Sequence, residues 1–204
     1  MEHTIRTFAE PIFATAGVSA ESVSITLVDD PSLNAFVAGG QNMFFHTGLL
    51  TSVEEVGQLV GVLAHETGHI AGGHLVRLEG ARDDISQQAL IAGLLGLAAG
   101  IAAGRPDAGA GVMMGTQASA LGALLGFTRS EEASADQAAL SYLDANQLSA
   151  RGLMNFLKKL EDQELLPEGK DSAYWRTHPL SRERVQAVRA HVDRSRWSDK
   201  PYPA

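Results

Sequence analysis

Two histidines four residues apart carry the strongest chemical signal in this chain. Residues 65–69 read His-Glu-Thr-Gly-His and follow the apolar run of residues 59–64. Side chains at positions i and i+4 share one face of a helix, roughly 6 Å apart, so His65 and His69 can bind one metal ion. Glu66 lies beside them, where its carboxylate can take a proton from a metal-activated water. The motif predicts a zinc peptidase that binds one Zn²⁺ per chain.

Catalytic zinc usually has three protein ligands, so a third residue must come from elsewhere. A histidine ten residues after His65 would complete a metzincin site, but that position is Leu75. His74 lies one residue short and, on a continuing helix, about 140° around the axis from His69. We therefore expect His74 to be a surface residue or to support a ligand from behind.

Two acids four residues apart, Glu132 and Asp136, are the better source of the third ligand. They share a helix face, so Glu132 is expected to bind zinc while Asp136 accepts a hydrogen bond from a ligand histidine. Glu131 competes as the ligand, although its spacing after Thr128 is that of a capping box. Taken alone, the pair would also suit a solvated acidic helix face. Their position in a helix rich in Ala and Leu favours the ligand interpretation.

Composition narrows the classes of function. The 204-residue chain has a net charge of −8 and no basic run, which argues against nucleic acid as a partner. It has no cysteine, so it forms no disulfide, and this argues against a deformylase-type enzyme, whose HExxH site takes a Cys ligand. The first residues do not read as a signal peptide, so we expect either a cytoplasmic protein or one whose leader was removed.

The elements that position these residues are predicted to be mostly helical. Residues 23–28 predict a strand, and residues 35–47 predict a hairpin that turns at Gly39 and Gly40. The sheet is therefore expected to be small and mainly antiparallel, in an α+β fold. Further helices are expected at about residues 5–16, 53–77 (the HExxH helix), 130–146, 149–164 and 181–194.

Two apolar stretches rich in Gly and Ala, residues 89–104 and 112–127, predict a helical hairpin. Neither reaches the ~20 uninterrupted apolar residues of a membrane span, so we expect residues 89–104 to form a buried or partner-covered helix, with membrane contact as the alternative. The hairpin could serve as a lid or plug over the cleft, or simply pack in the core. Residues 1–194 are predicted to form one metallopeptidase domain, which includes residues 89–127, and residues 195–204 a tail or linker.

These motifs together resemble the BepA, HtpX and CAAX-prenyl-protease family of HExxH zinc metallopeptidases, the gluzincins. In that family, HExxH is followed by a Glu-x-x-x-Asp helix that ends in Ala-Asp. An Asn-Ala-Phe strand, a Gly-Gly turn and a Gly-Leu-Leu come before the active helix, and a late His-Pro is followed by Arg. The matching positions are Glu132, Ala135, Asp136, residues 34–36, 39–40 and 48–50, His178, Pro179 and Arg184. The match covers roughly residues 20–190 and implies a zincin-like metalloprotease domain.

The resemblance implies roles for the late residues. His178 is expected at the active site, where it would stabilise the oxyanion or occupy the fourth zinc position and make the enzyme latent. Arg184 is expected to support the ligands together with Asp136. The strand of Met43, Phe44 and Phe45 is expected to pair with an extended substrate at the sheet edge, although it could equally be a core strand.

The soluble, periplasmic, BepA-like branch fits best, because the chain lacks the membrane spans of the other branches. The expected function is a zinc-dependent endopeptidase in protein quality control of the bacterial envelope. Its substrates would be unfolded or misassembled envelope proteins, with peripheral contact to the membrane or to outer-membrane assembly. The C-terminal tetratricopeptide domain usual in that branch is not recognised here, and oligomeric state is not predicted. The alternatives are a cytoplasmic location, a latent or inactive metal-binding module of chaperone type, or a helical interaction protein with a chance HExxH.

Overall fold

The computed structural model describes residues 1–164, 174 and 177–202. These residues form a mostly helical α+β fold with one small sheet, which confirms the predicted fold class. In chain order the elements are α1 (Glu2–Ala16), β1 (Ser24–Val28), β2 (Ala35–Ala38), β3 (Asn42–His46), α2 (Thr47–Ser52), α3 (Val56–Gly72), α4 (His74–Ala102), α5 (Pro106–Ala145), α6 (Arg151–Glu164) and α7 (Arg182–Val192). The chain divides into two compact units, residues 1–75 with 131–204 and residues 76–130.

The three strands pair in the order β1-β3-β2. The predicted hairpin forms β2 and β3, which are antiparallel, and Gly39 and Gly40 turn the chain between them with positive φ angles of 56° and 95°. Strand β1 pairs with β3 in parallel, so the sheet is mixed. Because β3 has a neighbour on each side, the open edges of this sheet belong to β1 and β2.

The core of the first unit lies between the sheet and helices α1, α3 and α6. Phe13 of α1, Met43 and Phe45 of β3, Leu63 of α3 and Phe156 of α6 are all fully buried. Burial of each such side chain stabilises the fold by roughly 1.5–3 kcal/mol. The HExxH helix therefore rests on a packed core along its length.

Helix α3 ends earlier than predicted. Gly73 takes a left-handed conformation with φ 63° and closes the helix, and the next residue, His74, begins α4. A Cβ on Gly72 would collide with the imidazole of His74, so glycine at this position makes room for that ring. The chain reverses here because glycine tolerates positive φ and close approach.

Helices α4 and α5 are longer than predicted. The polar segment 79–88 lies inside α4, and α5 runs without a break through residues 127–130. The Thr128 hydroxyl donates to the carbonyl oxygen of Leu124, which is the bond of a threonine inside a helix and not at its start. A capping role for Glu131 is therefore wrong, because no helix begins there.

The segment after α7 packs on the first unit as far as the structure describes it. The Tyr202 hydroxyl donates to the carbonyl oxygen of Ser149 at 2.5 Å, and the Ser149 hydroxyl donates to that of Ser198 at 2.6 Å. The Tyr202 ring lies against Gly57 of α3, where a Cβ would come within 2.7 Å of it. Residues 195–202 thus contribute contacts to the unit that carries the HExxH helix.

The second unit consists of the parts of α4 and α5 in residues 76–130. Two helices, His74–Ala102 and Asp107–Ala145, are long and apolar enough to cross a membrane, and their most apolar windows are 6% and 0% buried. The expectation that no segment is long and apolar enough for a membrane span is therefore wrong, and the hairpin is not buried among the described residues. Cover by a partner stays a prediction. An uninterrupted apolar run was too strict a criterion, because scattered Gln, Ser and Thr residues break the run but not the helix.

Candidate active site

Helix α3 brings the two histidines together as their spacing predicts. The Nε2 atoms of His65 and His69 lie 3.1 Å apart, and His65 is almost fully buried. Glu66 is completely buried between them and the core, and neither of its carboxylate oxygens accepts a hydrogen bond from the described residues. A buried carboxylate without donors is costly unless a ligand or a proton satisfies it, which indicates a functional group.

Helix α5 supplies the carboxylate of Glu132, which is 2% exposed. Its oxygens lie 3.4 Å from His65 Nε2 and 3.2 Å from His69 Nε2. This approach depends on Gly68, because a Cβ there would lie 2.9 Å from the carbonyl oxygen of Ala135. The glycine inside HETGH thus lets α5 lie directly against α3.

His178 enters the same cluster from the segment before α7. Its Nδ1 lies 3.2 Å from Glu132 Oε1, and its Nε2 lies 3.1 Å from the carbonyl oxygen of Ala35 and 3.4 Å from Glu66 Oε1. With Nε2 protonated, His178 donates to Ala35 and turns its Nδ1 lone pair towards Glu132. A lone pair and a carboxylate at this distance repel each other unless a cation or a proton lies between them.

Asp136 lies one helical turn after Glu132, on the same side of α5. Its Oδ1 is 2.9 Å from His65 Nδ1, so the carboxylate is positioned to hold the outer nitrogen of that imidazole. Arg184 donates from Nε and Nη2 to the two oxygens of Asp136, at 2.6 and 2.9 Å. Its Nη1 lies 2.7 Å from Glu132 Oε2. One guanidinium therefore orients both acids of the Glu-x-x-x-Asp pair.

A second support, behind His69, involves His74. The early turn at Gly73 brings His74 Nδ1 to 2.9 Å from His69 Nδ1. His74 Nε2 lies 3.2 Å from Glu131 Oε2, and the imidazole is 4% exposed. His74 is therefore not a surface residue, and Glu131 contacts the site through it. The sequence showed His74 as a candidate support, but its pairing with Glu131 depends on the turn.

Tyr174 was not identified from the sequence. Its buried ring lies 4.8 Å from the imidazole of His178, and the backbone N–H of His178 donates to the Tyr174 carbonyl oxygen at 2.7 Å. Burial raises the pKa of this phenol, which keeps its hydroxyl neutral. The four-residue spacing between Tyr174 and His178 is the signal that could have suggested it.

The electrostatics of the site combine burial with opposite charges. Burial lowers the pKa of His65, but the carboxylates of Asp136 and Glu132 outweigh it and raise the pKa to about 10. Burial also lowers the pKa of His178, but the negative charges of Glu132 and Glu66 outweigh burial, so the pKa of His178 is raised. At His69 burial dominates and the pKa is lowered. Two of the three histidines thus attract a positive charge.

The balance of charged groups in the site explains why these histidines attract a positive charge. The described site contains three buried carboxylates, those of Glu66, Glu132 and Asp136, and one guanidinium, that of Arg184, which contacts Glu132 and Asp136. The carboxylates of the described site therefore outnumber this guanidinium by two. A divalent cation or bound protons would balance this excess, and the upward pKa shifts of His65 and His178 favour a positive charge at those two imidazoles.

The donor atoms converge on one point. Ligand atoms of His65, His69, Glu132 and His178 all lie within 4.8 Å of one another, a group that could hold a metal ion. The structure brings together the three residues that were predicted to bind the metal, and it places His178 beside them, as expected for a possible fourth donor. Which of the four bind the ion in solution stays a prediction.

The structure corrects the expectation that a substrate pairs with the strand of residues 43–45. Met43, Phe44 and Phe45 lie on β3, which is the central strand of the sheet and is hydrogen-bonded on both sides. Met43 and Phe45 are fully buried, and Phe44 stacks on Phe36. Pairing of a substrate with this strand is therefore wrong, because its backbone groups are already used.

The fold and the site define a class of protein. A helix with His65, Glu66 and His69 faces a second helix whose carboxylate completes a metal-binding group, and a buried Asp–Arg pair supports them. This is the arrangement of a helical metallopeptidase domain.

Comparison with known proteins gives the family. Residues 2–192 match the family described as Peptidase family M48, and the chain belongs to it. The predicted resemblance and the predicted enzyme class, a metalloendopeptidase, are thereby confirmed, and enzymes of this family depend on a metal.

Several curated proteins are similar to the chain. The beta-barrel assembly-enhancing protease of Yersinia pestis is 28% identical over 199 residues, which cover 98% of this chain and 40% of that protein. The protein of that name from Escherichia coli (strain K12) is 29% identical over 172 residues, covering 83% and 34%. A mitochondrial metalloendopeptidase of Homo sapiens is 41% identical over 64 residues, covering 31% and 12%. The chain spans two fifths or less of the length of these relatives.

Proposed function

We propose that this chain is a zinc-dependent endopeptidase that hydrolyses peptide bonds with a metal-activated water. The observation that carries the proposal is the spacing of the donor atoms. Around a tetrahedral ion with ligands at about 2.0–2.1 Å, neighbouring donors lie about 3.3 Å apart. The separations among His65 Nε2, His69 Nε2 and the Glu132 oxygens are 3.1, 3.4 and 3.2 Å. This spacing and the two imidazoles favour zinc over the larger, oxygen-preferring calcium ion.

The residues around the ion have distinct roles in this proposal. When bound, zinc would supply Lewis acidity towards the attacking water and the scissile carbonyl. Glu66 would take the proton of the water on its free carboxylate and return it to the leaving amine. Asp136 would accept the Nδ1 proton of His65, and His74 that of His69, so that both Nε2 lone pairs stay available.

The proposal includes a latent resting state in which His178 is the fourth donor. Its Nε2 proton is used by the carbonyl oxygen of Ala35, so this group is not free to stabilise an oxyanion. Its Nδ1 lies 3.2 Å from Glu132 Oε1, and His178 belongs to the metal-holding group, so the lone pair of this nitrogen would be available to a bound ion. A fourth protein ligand takes the position that water needs, and His178 would have to move away before a substrate is cleaved.

The biological setting is proposed from the relatives. Two of them are named beta-barrel assembly-enhancing proteases, which supports a role in protein quality control of the bacterial envelope. The substrates would be unfolded or misassembled envelope polypeptides, and the location would be the periplasm. Residues 89–127 as a lid or plug, and residues 1–194 as the catalytic domain, also remain predictions.

Cleavage of casein by zinc-loaded protein tests the catalytic proposal. We expect slow cleavage by the wild type and none by Glu66→Gln, which keeps the size of the side chain but removes the base. Glu21→Gln, on an exposed surface, is the matched control and should cleave like the wild type. Zinc content by plasma mass spectrometry should be equal in all three proteins. Equal cleavage by wild type and Glu66→Gln would overturn the proposal.

A further inference from the structure

We propose that the helical hairpin of residues 85–128 inserts into a lipid bilayer. The apolar side chains of the hairpin face outward on both helices. On α4, Leu90 and Leu95 are 57% and 67% exposed and lie about 140° apart around the axis. On α5, Val112 and Met114 are 47% and 74% exposed and lie on nearly opposite sides.

An apolar surface on more than one face determines the kind of partner. A protein groove or a second copy of the chain covers one face of a helix and leaves the other in water. A helix that is apolar all round is stable where apolar surroundings enclose it, in a protein core or in a membrane. The most apolar segments of the two helices are only 6% and 0% buried, so they do not lie in a core formed by the described residues. The hydrocarbon layer of a membrane is the partner that fits them.

The distribution of charge and the length agree with this occupant. Residues 85–104 and 108–128 contain no ionisable side chain. Charged residues stand only at the open end, at positions 82–84 and 129, and at the turn, at Arg105 and Asp107. At 1.5 Å per residue, the two arms of the hairpin, residues 85–102 of α4 and 108–128 of α5, are roughly 27 and 32 Å long, which is about the thickness of the hydrocarbon core.

The contact between the arms is of a kind that is stable in lipid. Gly100 lies directly against Gly109, where a Cβ would come within 2.6 Å of the Gly109 Cα, and Gly96 lies against Val112. Small residues let two helices approach without help from the hydrophobic effect, which is absent between helices in a bilayer. Polar side chains, among them Gln88, Thr116 and Ser119, line the groove between the arms. The backbone groups are paired inside the helices, as a membrane requires.

This inference is independent of the proposed peptidase function, because no residue of the hairpin belongs to the metal-holding group. It competes with the predicted role of residues 89–127 as a lid or plug. It predicts a protein that is anchored through residues 85–128, with both ends of the hairpin at the same side of the bilayer. A peptidase site on such a chain would act on polypeptides near a membrane surface.

Co-sedimentation of the full chain with vesicles of phosphatidylethanolamine and phosphatidylglycerol tests the inference. We expect the wild type to stay with the vesicles after an alkaline carbonate wash. The double variant Leu95→Glu and Leu121→Glu should remain in the supernatant, with bound protein reduced at least tenfold, because two charges must enter hydrocarbon. The matched control, Thr4→Glu and Gln186→Glu, adds the same charge at exposed positions outside the hairpin and should bind like the wild type.

A second measurement does not depend on these variants. The chain has no cysteine, so a single Cys at exposed Ala98 can carry an environment-sensitive dye, with Gln186→Cys as the control. Vesicles should shift the emission of the dye at position 98 to the blue and leave that at position 186 unchanged. Three results would overturn the inference: a wild type that does not bind vesicles, a Leu95/Leu121 variant that binds equally well, or an unshifted dye at position 98. A defined soluble oligomer that the same variant dissociates, without vesicle binding, would point to a second copy instead.

Discussion

Arg184 holds Asp136 through two nitrogens, with Nε 2.6 Å from one carboxylate oxygen and Nη2 2.9 Å from the other. Both side chains are almost completely buried. The oxygen that accepts from Nη2, Asp136 Oδ1, also lies 2.9 Å from His65 Nδ1, so the pair connects α7 to the imidazole that is predicted to bind the metal. This contact makes the geometry of the HExxH helix depend on a segment near the end of the described chain.

Replacement of Asp136 by Asn should destabilise the metal-free protein in a pH-dependent way. Burial raises the pKa of Asp136, but Arg184 and His65 outweigh it and lower the pKa to about 2 from an ordinary value of 3.8. A carboxylate with a lowered pKa stabilises the fold above its unfolded pKa, and this contribution, on the order of 2 kcal/mol, is lost as pH falls from about 4 to about 2. At neutral pH the loss in Asp136→Asn should be about 3–5 kcal/mol, because Arg184 loses a buried partner.

Urea unfolding of both proteins between pH 2 and pH 7, in the presence of a chelator, measures this difference. The gap in unfolding free energy between wild type and Asp136→Asn should narrow at the acid end. A gap that is constant across this range would contradict the role of Asp136 as a buried ionised partner.

Replacement of His74 by Phe should weaken zinc binding without unfolding the protein. Phe fills a similar volume but cannot accept the proton on His69 Nδ1, so the tautomer of the ligand is no longer held. Loss of such a supporting group costs roughly 10–100-fold in metal affinity. Competition with a chromophoric chelator measures the affinity. Glu131→Gln should show a smaller loss in the same direction, and His191→Phe, outside the site, should show none.

Replacement of Gly68 by Ala should disrupt zinc binding although it adds only one methyl group. The new Cβ would lie 2.9 Å from the backbone oxygen of Ala135, so α5 must move and take Glu132 with it. We expect zinc affinity to fall at least tenfold and the melting temperature to drop. Gly80→Ala, where a Cβ meets nothing within 4 Å, is the matched control and should leave both unchanged or slightly raise stability.

Replacement of His178 by Ala should increase casein cleavage, because the proposed fourth donor is removed and water can take its position. Initial rates at saturating zinc measure the effect, and we expect an increase of at least several-fold. The rate should fall to background when Glu66→Gln is added. A loss of cleavage in His178→Ala with zinc retained would show instead that this histidine stabilises the transition state, which typically costs 10²–10³-fold. An absence of cleavage in both wild type and His178→Ala, with zinc bound, would favour a metal-binding module without peptidase activity.

Much of the metal-holding group was predictable from short-range spacing. His65 and His69 share a helix face whatever the rest of the fold does, and Glu132 and Asp136 share another for the same reason. The late His178 and Arg184 have no such local signal, and only the resemblance to a family connected them with the site. The structure brings both into contact with the Glu132 carboxylate.

The sequence by itself determined the HExxH helix, the acidic pair, the helical hairpin and the α+β class, because helical periodicity and turn residues act over a few positions. The tertiary structure alone decided that β3 is the central strand, that α5 is continuous, and that His74 turns back onto His69 with Glu131 behind it. Strand order, and contacts such as that of His74 with Glu131, join segments that are far apart in the chain. Their free energy comes from burial and close approach between those segments, which no local pattern encodes.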